Sequence, residues 1–454
     1  MIKYKLKLYD ILKFQFIIVI NLIKLYLPKI RIMQFKTQEP EAKIIKDINL
    51  PVVTKKKLKN GIEVYLLSTK VSELSSVNII YNKGSWNQQH LLQANTTAKM
   101  LDKGTMSHSS KEIADYYDFH SIRHKVSVSM HNIVFKNLML NKYIDKAIAM
   151  QKEILTEPSF DANEFIIYKN NQKESLTIEL EEVENVARFE LQKQIYGKNH
   201  PYGWHAIPEN YDALQIEWLK NFYEENINSS KLKIVAVTKD YELLLDILNN
   251  YFGEFKKNKE KADDISFKIE SEKKYNYIEK EDSLQSAIRT GWKLFNKTHP
   301  DYIDMLILNA LLGGYYGARL MQNIRQKLGL TYGIYSLLIS EKYEGTLEIA
   351  SEVKKESKDR VLEEIIKEIN KLRTKKVSKE ELDKLRRYFS GSLLRTIDGE
   401  FGYYSKIINF LSYGTDFDFY KRLFKRINEI TPEEIMALAN KYLNPDEMYT
   451  TIVG

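Results

Sequence analysis

No cysteine occurs in the 454 residues. That absence excludes disulfides, thiol catalysis and cysteine-ligated zinc, and is compatible with a reducing compartment. Any metal would have to rest on carboxylates and on the 8 histidines. A membrane-length apolar run is also missing. The longest candidate, near the N-terminus, is apolar without interruption only from Phe16 to Ile20, with Lys13 before it and Asn21 and Lys24 after it. A span needs about 20 apolar residues. No good small-residue cleavage site follows in "LPKIRIMQFKTQEPEAK". Three readings of residues 1–44 therefore stay open: a mis-called start (Met33 being the alternative) or disordered leader, an uncleaved membrane anchor, and a cleaved signal. A cytoplasmic location is favoured, with anchoring or export through residues 1–32 as the alternatives.

Charge of one sign is not gathered either. The net charge of +8 comes from 69 Lys and Arg against 61 Asp and Glu, interspersed as in "EVKKESKDRVLEEIIKEINK". A nucleic-acid binder concentrates its cations on one face, with aromatics between them, so this pattern reads as a solvated surface and not as a nucleic-acid interface. What is present is ordinary for a folded chain: 43% hydrophobic and 29% charged residues, enough for a sizeable core. The length suggests two or three units.

Asn60-Gly61 is a turn dipeptide between β-type runs, predicting a hairpin over Lys56 to Ser68. "SVNIIYNKGS" reads as a strand, "NTTAKMLDKGT" (Asn95 to Thr105) as a helix with a Gly-Thr stop, and "HKVSVSMHNIVF" as strand. Capping boxes start helices at Ser109/Glu112, Ser378/Glu381 and Thr431/Glu434. "FDANEF" opens a helix that is expected to run on unbroken through "LTIELEEVENVARFELQKQIYG". The order of elements recurs in the second half. Asn228 and Asn444 open similar turns before the final strand of each half, 216 residues apart. Two long repeats imply two domains, 45–255 and 275–454, joined by a charged linker at 256–274. The expected class is α+β: two homologous mixed α/β domains, each an antiparallel sheet covered by helices on one face.

The frame "GSW…KMLDKGT", the capped helix after it, the loop "YGKNHPYGWH" and the run "LLGGYYGARLMQNIRQKLGLTYGIYS" occur in order. In these elements the chain resembles the pitrilysin/insulinase family of zinc peptidases over roughly residues 45–454. The resemblance is to the half-length members similar to mitochondrial processing peptidase, and specifically to their zinc-less subunits. Active members carry His-x-x-Glu-His on the helix before the Gly-Thr. Two His at i and i+4 share a helix face and bind one Zn²⁺, while the Glu activates the metal-bound water. Counting back from Gly104-Thr105, those three positions hold Asn95, Ala98 and Lys99. Asn is a poor zinc ligand, Ala takes no proton, and an ammonium repels a dication. The family's third ligand falls near Glu174, which has no partners for that role.

Other histidines offer no replacement. His120 and His124 are spaced i, i+4 where a helix should end, with no carboxylate between them. His200 and His205 flank a loop that they serve to fix, and His90 is out of register. The resemblance further implies that Arg325 and Tyr332 hold the substrate and stabilise its developing oxyanion, a task suited to a guanidinium and a phenol. Arg319 matches the family too and reads as structural. Together these imply a zinc-less metallopeptidase subunit, inactive alone, binding no cofactor itself, that pairs with a zinc-bearing homologue to process peptides. A membrane contact is implied only if the N-terminal segment is real and inserted. The alternatives are a non-enzymatic structural or peptide-binding protein on this fold, and an active zinc peptidase with displaced ligands.

Overall fold

The structure is a computed structural model that describes residues 48–228, 230–255 and 266–454. The readings of residues 1–44 and of the first part of the linker fall outside these residues. Alternation of side chains along each strand sorts the sequence onto two sheets. The first has the order β1-β2-β6-β3-β5-β4, built from Thr54–Lys57 (β1), Glu63–Ser68 (β2), Leu74–Tyr81 (β3), Arg123–Val128 (β4), Ile133–Leu140 (β5) and Leu232–Thr238 (β6). Gly61 closes the first hairpin at φ 88°, a conformation that glycine adopts without strain. The second sheet has the order β7-β11-β8-β10-β9, from Tyr275–Ile278 (β7), Gln285–Leu294 (β8), Thr331–Ser340 (β9), Gly345–Lys354 (β10) and Tyr449–Val453 (β11). All pairs are antiparallel except β2 with β6 and β7 with β11.

Fourteen α-helices lie among the described residues. They are Gln93–Met100 (α1), Ser110–Phe119 (α2), Ile144–Thr156 (α3), Ala162–Glu179 (α4), Val183–Tyr196 (α5), Glu209–Ala213 (α6), Ile216–Tyr223 (α7), Tyr241–Phe252 (α8), Tyr302–Leu312 (α9), Lys358–Thr374 (α10), Lys379–Thr396 (α11), Gly399–Tyr413 (α12), Phe419–Glu429 (α13) and Pro432–Tyr442 (α14). One core joins Val64, Leu66, Val77, Ile79, Ile234 and Ala236 of the first sheet to α1, α3, α7 and α8. Its counterpart joins Ile288, Trp292, Leu347 and Ile349 of the second sheet to α9, α10, α11 and α14.

Each sheet has a second buried face, covered by a helix from the other half of the chain. Tyr65, Leu67, Ile80, Val235 and Val237 pack against Tyr404, Ile407 and Phe410 of α12. Val183 and Ala187 of α5 pack against Ala287 and Val453 of the second sheet. The first crossing is apolar. The second is largely polar, with the Thr451 hydroxyl donating to the Gln194 side chain at 3.0 Å and Gln192 donating to buried Glu348.

The continuous helix expected after Asp161 is two helices. Asp161 caps α4 as expected, its side chain accepting from the Asn163 and Glu164 amides. The chain then breaks at Leu180–Glu182, where Glu182 is extended. No Gly or Pro marks the break. Its cause is tertiary: Phe165 of α4 belongs to the first core, whereas α5 turns away to the second sheet. The capping boxes at Ser109/Glu112 and Thr431/Glu434 form. At Ser378 only half does: its hydroxyl accepts from the Glu381 amide, but the Glu381 carboxylate receives two hydrogen bonds from Arg319, at 2.7 and 2.9 Å.

The described part of the linker is fastened down. Ser271 donates to the Ile195 carbonyl at 2.7 Å, and the Phe267 ring lies 5.0 Å from that of Trp86. Trp86 is also ringed by His131, His200, Tyr202 and, from the second half, Tyr343. The "GSW" and "HPYG" segments therefore meet in one aromatic joint between the halves.

Candidate functional site

Helix α1 is held at both ends. The Gln93 side chain accepts from the Gln89 and His90 amides and donates to the Trp218 carbonyl at 2.7 Å. Beyond the helix, Gly104 has φ +147°, and a Cβ there would lie 2.6 Å from the Ser159 hydroxyl. Thr105 next to it donates to Glu153, which also bonds His108 at 2.7 Å. The Gly-Thr stop is thus a structural knot that sets the register of the helix.

On that helix Asn95 and Lys99 are half-buried and Ala98 is fully buried in the first core. The Lys99 ammonium donates to the Val126 carbonyl of β4, an edge strand, at 2.6 Å. Burial holds the Lys99 amine below its usual range, with Asp102 opposing the shift. Glu174 sits exposed on α4. This set offers an amide, a methyl and an ammonium where zinc requires two imidazoles and a base, so the residues do not fit the metal. Among the described residues no group of three or more His, Asp or Glu is placed to hold a metal ion.

The remaining histidines have other work. His120 caps α2 and contacts the Tyr116 carbonyl at 2.8 Å, while His124 lies in β4, bonded to Asn137 at 2.9 Å and stacked on Tyr117. His200 accepts from the Tyr202 amide at 3.1 Å, His205 stacks on Phe189, and His90 stacks on Trp218.

Arg325 and Tyr332 both sit on irregular backbone. Arg325 lies in a π-helical segment, Met321–Lys327, a geometry that recurs at functional sites. Its guanidinium carbon is 5.1 Å from the Tyr316 ring centre, and among the described residues it has no carboxylate partner. Leu330 donates to the Ile324 carbonyl and Gly329 turns at φ +64°, bringing the chain into β9. There the pairing with β10 slips: Ser351 faces Ile334, but Val353 faces Thr331, so β9 carries an extra residue. The Thr331 hydroxyl and Ser351 pin this bulge. A bulge re-aims a side chain, and Tyr332 is 91% exposed. Arg319, by contrast, is committed to Glu381.

Tyr332 also lines a cavity of about 200 Å³ with Glu184, Gln285, Tyr335 and Glu352. The Glu184 carboxylate takes hydrogen bonds from Arg289 at 2.6 Å and from the Tyr335 hydroxyl at 2.8 Å. The Tyr335 hydroxyl, ahead of the Arg289 charge, holds Glu184 below the usual carboxylate range. Burial, and then the Glu184 charge, push Glu352 up. Of the two, Glu352 is therefore the first to take a proton as pH falls. Sequence reasoning missed this group, because Glu184 and Glu352 come from different halves and no local pattern links them.

The histidines set an acid limit on the fold. Burial lowers His124, and lowers His200 to about 4. Both are neutral in the native state and titrate near 6.5 when unfolded. Their stabilisation is complete above about 6.5 and is lost as pH falls through the folded value. For His200 the loss between neutrality and pH 4 is on the order of 2–3 kcal/mol. Urea unfolding of the parent and of His200→Asn, which keeps an acceptor for the Tyr202 amide, is expected to show a smaller acid loss in the variant. Equal acid losses would remove His200 as a cause.

Comparison with known proteins agrees with this geometry. Residues 63–203 match the family model described as Insulinase (Peptidase family M16), and residues 213–389 match the Peptidase M16 inactive domain. The chain is 21% identical over 348 residues to "Uncharacterized zinc protease YmxG" of Bacillus subtilis, covering 75% of this chain and 83% of that one. It is 22% identical to "Non-peptidase homolog YmxG" of Helicobacter pylori, covering 79% and 83%. The crystal structure of a peptidase M16 inactive domain from Pseudomonas fluorescens superposes with a TM-score of 0.78 at 21% identity, covering 88% of this chain and 98% of that one. The chain belongs to the insulinase (M16) peptidase family, as a member without the zinc motif.

Proposed function

We propose that this chain is the zinc-less subunit of a two-part metalloendopeptidase. It pairs with a zinc-bearing homologue and contributes Arg325 and Tyr332 to the substrate and its oxyanion. The observation that carries this reading is the state of the pair: a guanidinium with no carboxylate partner among the described residues, and a phenol held out on a bulge. Both are donors available to an incoming negative charge. The substrate would be a short or unfolded polypeptide, extended along a sheet edge and held by main-chain hydrogen bonds. Lys99 already occupies one carbonyl of the β4 edge, which leaves β9, the edge strand bearing Tyr332, as the freer template.

The purified chain alone is expected to hold far less than one zinc per molecule and to leave unfolded casein intact. Mixed with a zinc-bearing homologue, it should co-elute as a complex and the casein should be cut. The proposal is abandoned if no complex forms with such a partner. A peptide-binding or structural role is the second reading, favoured by the name of the Helicobacter relative, a non-peptidase homologue. It gains if the complex forms and cleavage never appears.

A further inference from the structure

An apolar cavity away from the site just described lies among α9, α11, α12 and α13. Its volume is about 320 Å³, room for roughly ten water-sized groups. That lies within the range of small-molecule sites, about 300–1,000 Å³, which combine apolar walls with a few placed polar groups. The walls here include Leu306, Phe389, Leu393, Phe410 and Tyr420. One cation lines it, Lys297.

Lys297 is not paid for by the protein. Its ammonium lies 4.1 Å from the Tyr413 ring centre, and no carboxylate comes within 4.0 Å of it among the described residues. Burial holds the Lys297 amine below its usual range, and the Glu341 charge opposes that shift. Burial pushes the Glu341 carboxyl up to about 7, so this acid is itself a poor counter-charge. A half-buried ammonium at the edge of an apolar cavity, with a ring contact but no ion-pair partner among the described residues, favours an anion. A single Lys and no Arg fit one monovalent oxyanion, since Arg is the side chain suited to bidentate anion recognition.

We propose that this cavity binds a medium-chain monocarboxylate, its tail against the aromatic wall and its carboxylate at Lys297. Nothing in this inference depends on the peptidase reading. The site is distinct from Arg325 and Tyr332, neither of which lines it.

The test is calorimetric titration of the full chain with sodium decanoate below its micelle concentration. Decyltrimethylammonium, with the same tail and the opposite charge, is the control. One saturable site per chain is expected for decanoate and none for the cation. Each methylene removed should weaken binding roughly fourfold. Lys297→Met, which keeps the apolar stem, should weaken decanoate about tenfold or more, and Ser392→Trp, at the cavity wall, should abolish binding. Thermal unfolding confirms that both variants fold. Absence of saturable binding, equal affinity in Lys297→Met, or equal binding of the cation would each overturn the proposal.

Discussion

Arg325→Ala is expected to lower kcat of the mixed assembly by about 10²–10³, the usual loss for one oxyanion donor. KM should change little, because the interaction forms as charge develops on the carbonyl oxygen. The chain itself should unfold as before. Among the described residues Arg325 has no ion pair to break, and its contact with the Tyr316 ring is worth about 0.5–1 kcal/mol. Tyr332→Phe removes only a hydroxyl from a side chain that is 91% exposed, so its effect on folding should stay within about 0.5 kcal/mol. The informative contrast is Arg319→Ala. That change breaks a two-bond pair with Glu381, and should destabilise the chain while touching cleavage only through the folded fraction. If Arg325→Ala instead behaves like Arg319→Ala, with a shifted unfolding midpoint and an unchanged kcat per folded complex, the pair is structural and the peptide-binding reading takes over.

The parts of the fold that local chemistry determines were legible in the sequence. Asn60-Gly61, the capping boxes at Ser109 and Thr431 and the Asp161 cap need only neighbours a few residues away. The features that escaped need long-range contacts. The break between α4 and α5 has no local marker, because it follows from the pull of Ala287 and Val453 on Val183 and Ala187. Glu381 abandons its capping box because Arg319, 62 residues away, offers a charge-assisted pair. The site divides the same way. The reading of Asn95, Ala98 and Lys99 as the replaced motif needs only counting along one helix, on which all three lie. The cavity beside Tyr332 joins Glu184 to Glu352 across the two halves, and the bulge that exposes Tyr332 depends on a register slip against β10. Neither leaves a pattern in consecutive residues.

Ala98→Glu, the change that would begin to rebuild a zinc motif, is expected to destabilise the chain by about 3 kcal/mol or more. Ala98 has no exposed surface and packs in the same core as Ala94, Met100 and Leu101. A glutamate there would overpack a dense region and bring an unpaired carboxyl out of water, and each of these is costly. The introduced carboxyl should be forced neutral in the native state. The penalty should therefore be smallest below about pH 4 and grow as pH rises toward 7, the sign for a carboxyl whose folded pKa lies above its unfolded value. Lys99→His adds a smaller loss, on the order of 1 kcal/mol, by removing the hydrogen bond to the Val126 carbonyl. The core is thus closed over position 98, to which the resemblance assigns the base of the family's active members. Unfolding of Ala98→Glu at pH 4.5 and pH 7.5 checks this directly. An unchanged midpoint at both values would mean that position 98 opens onto a polar cleft, and that the metal site was lost through its ligands alone.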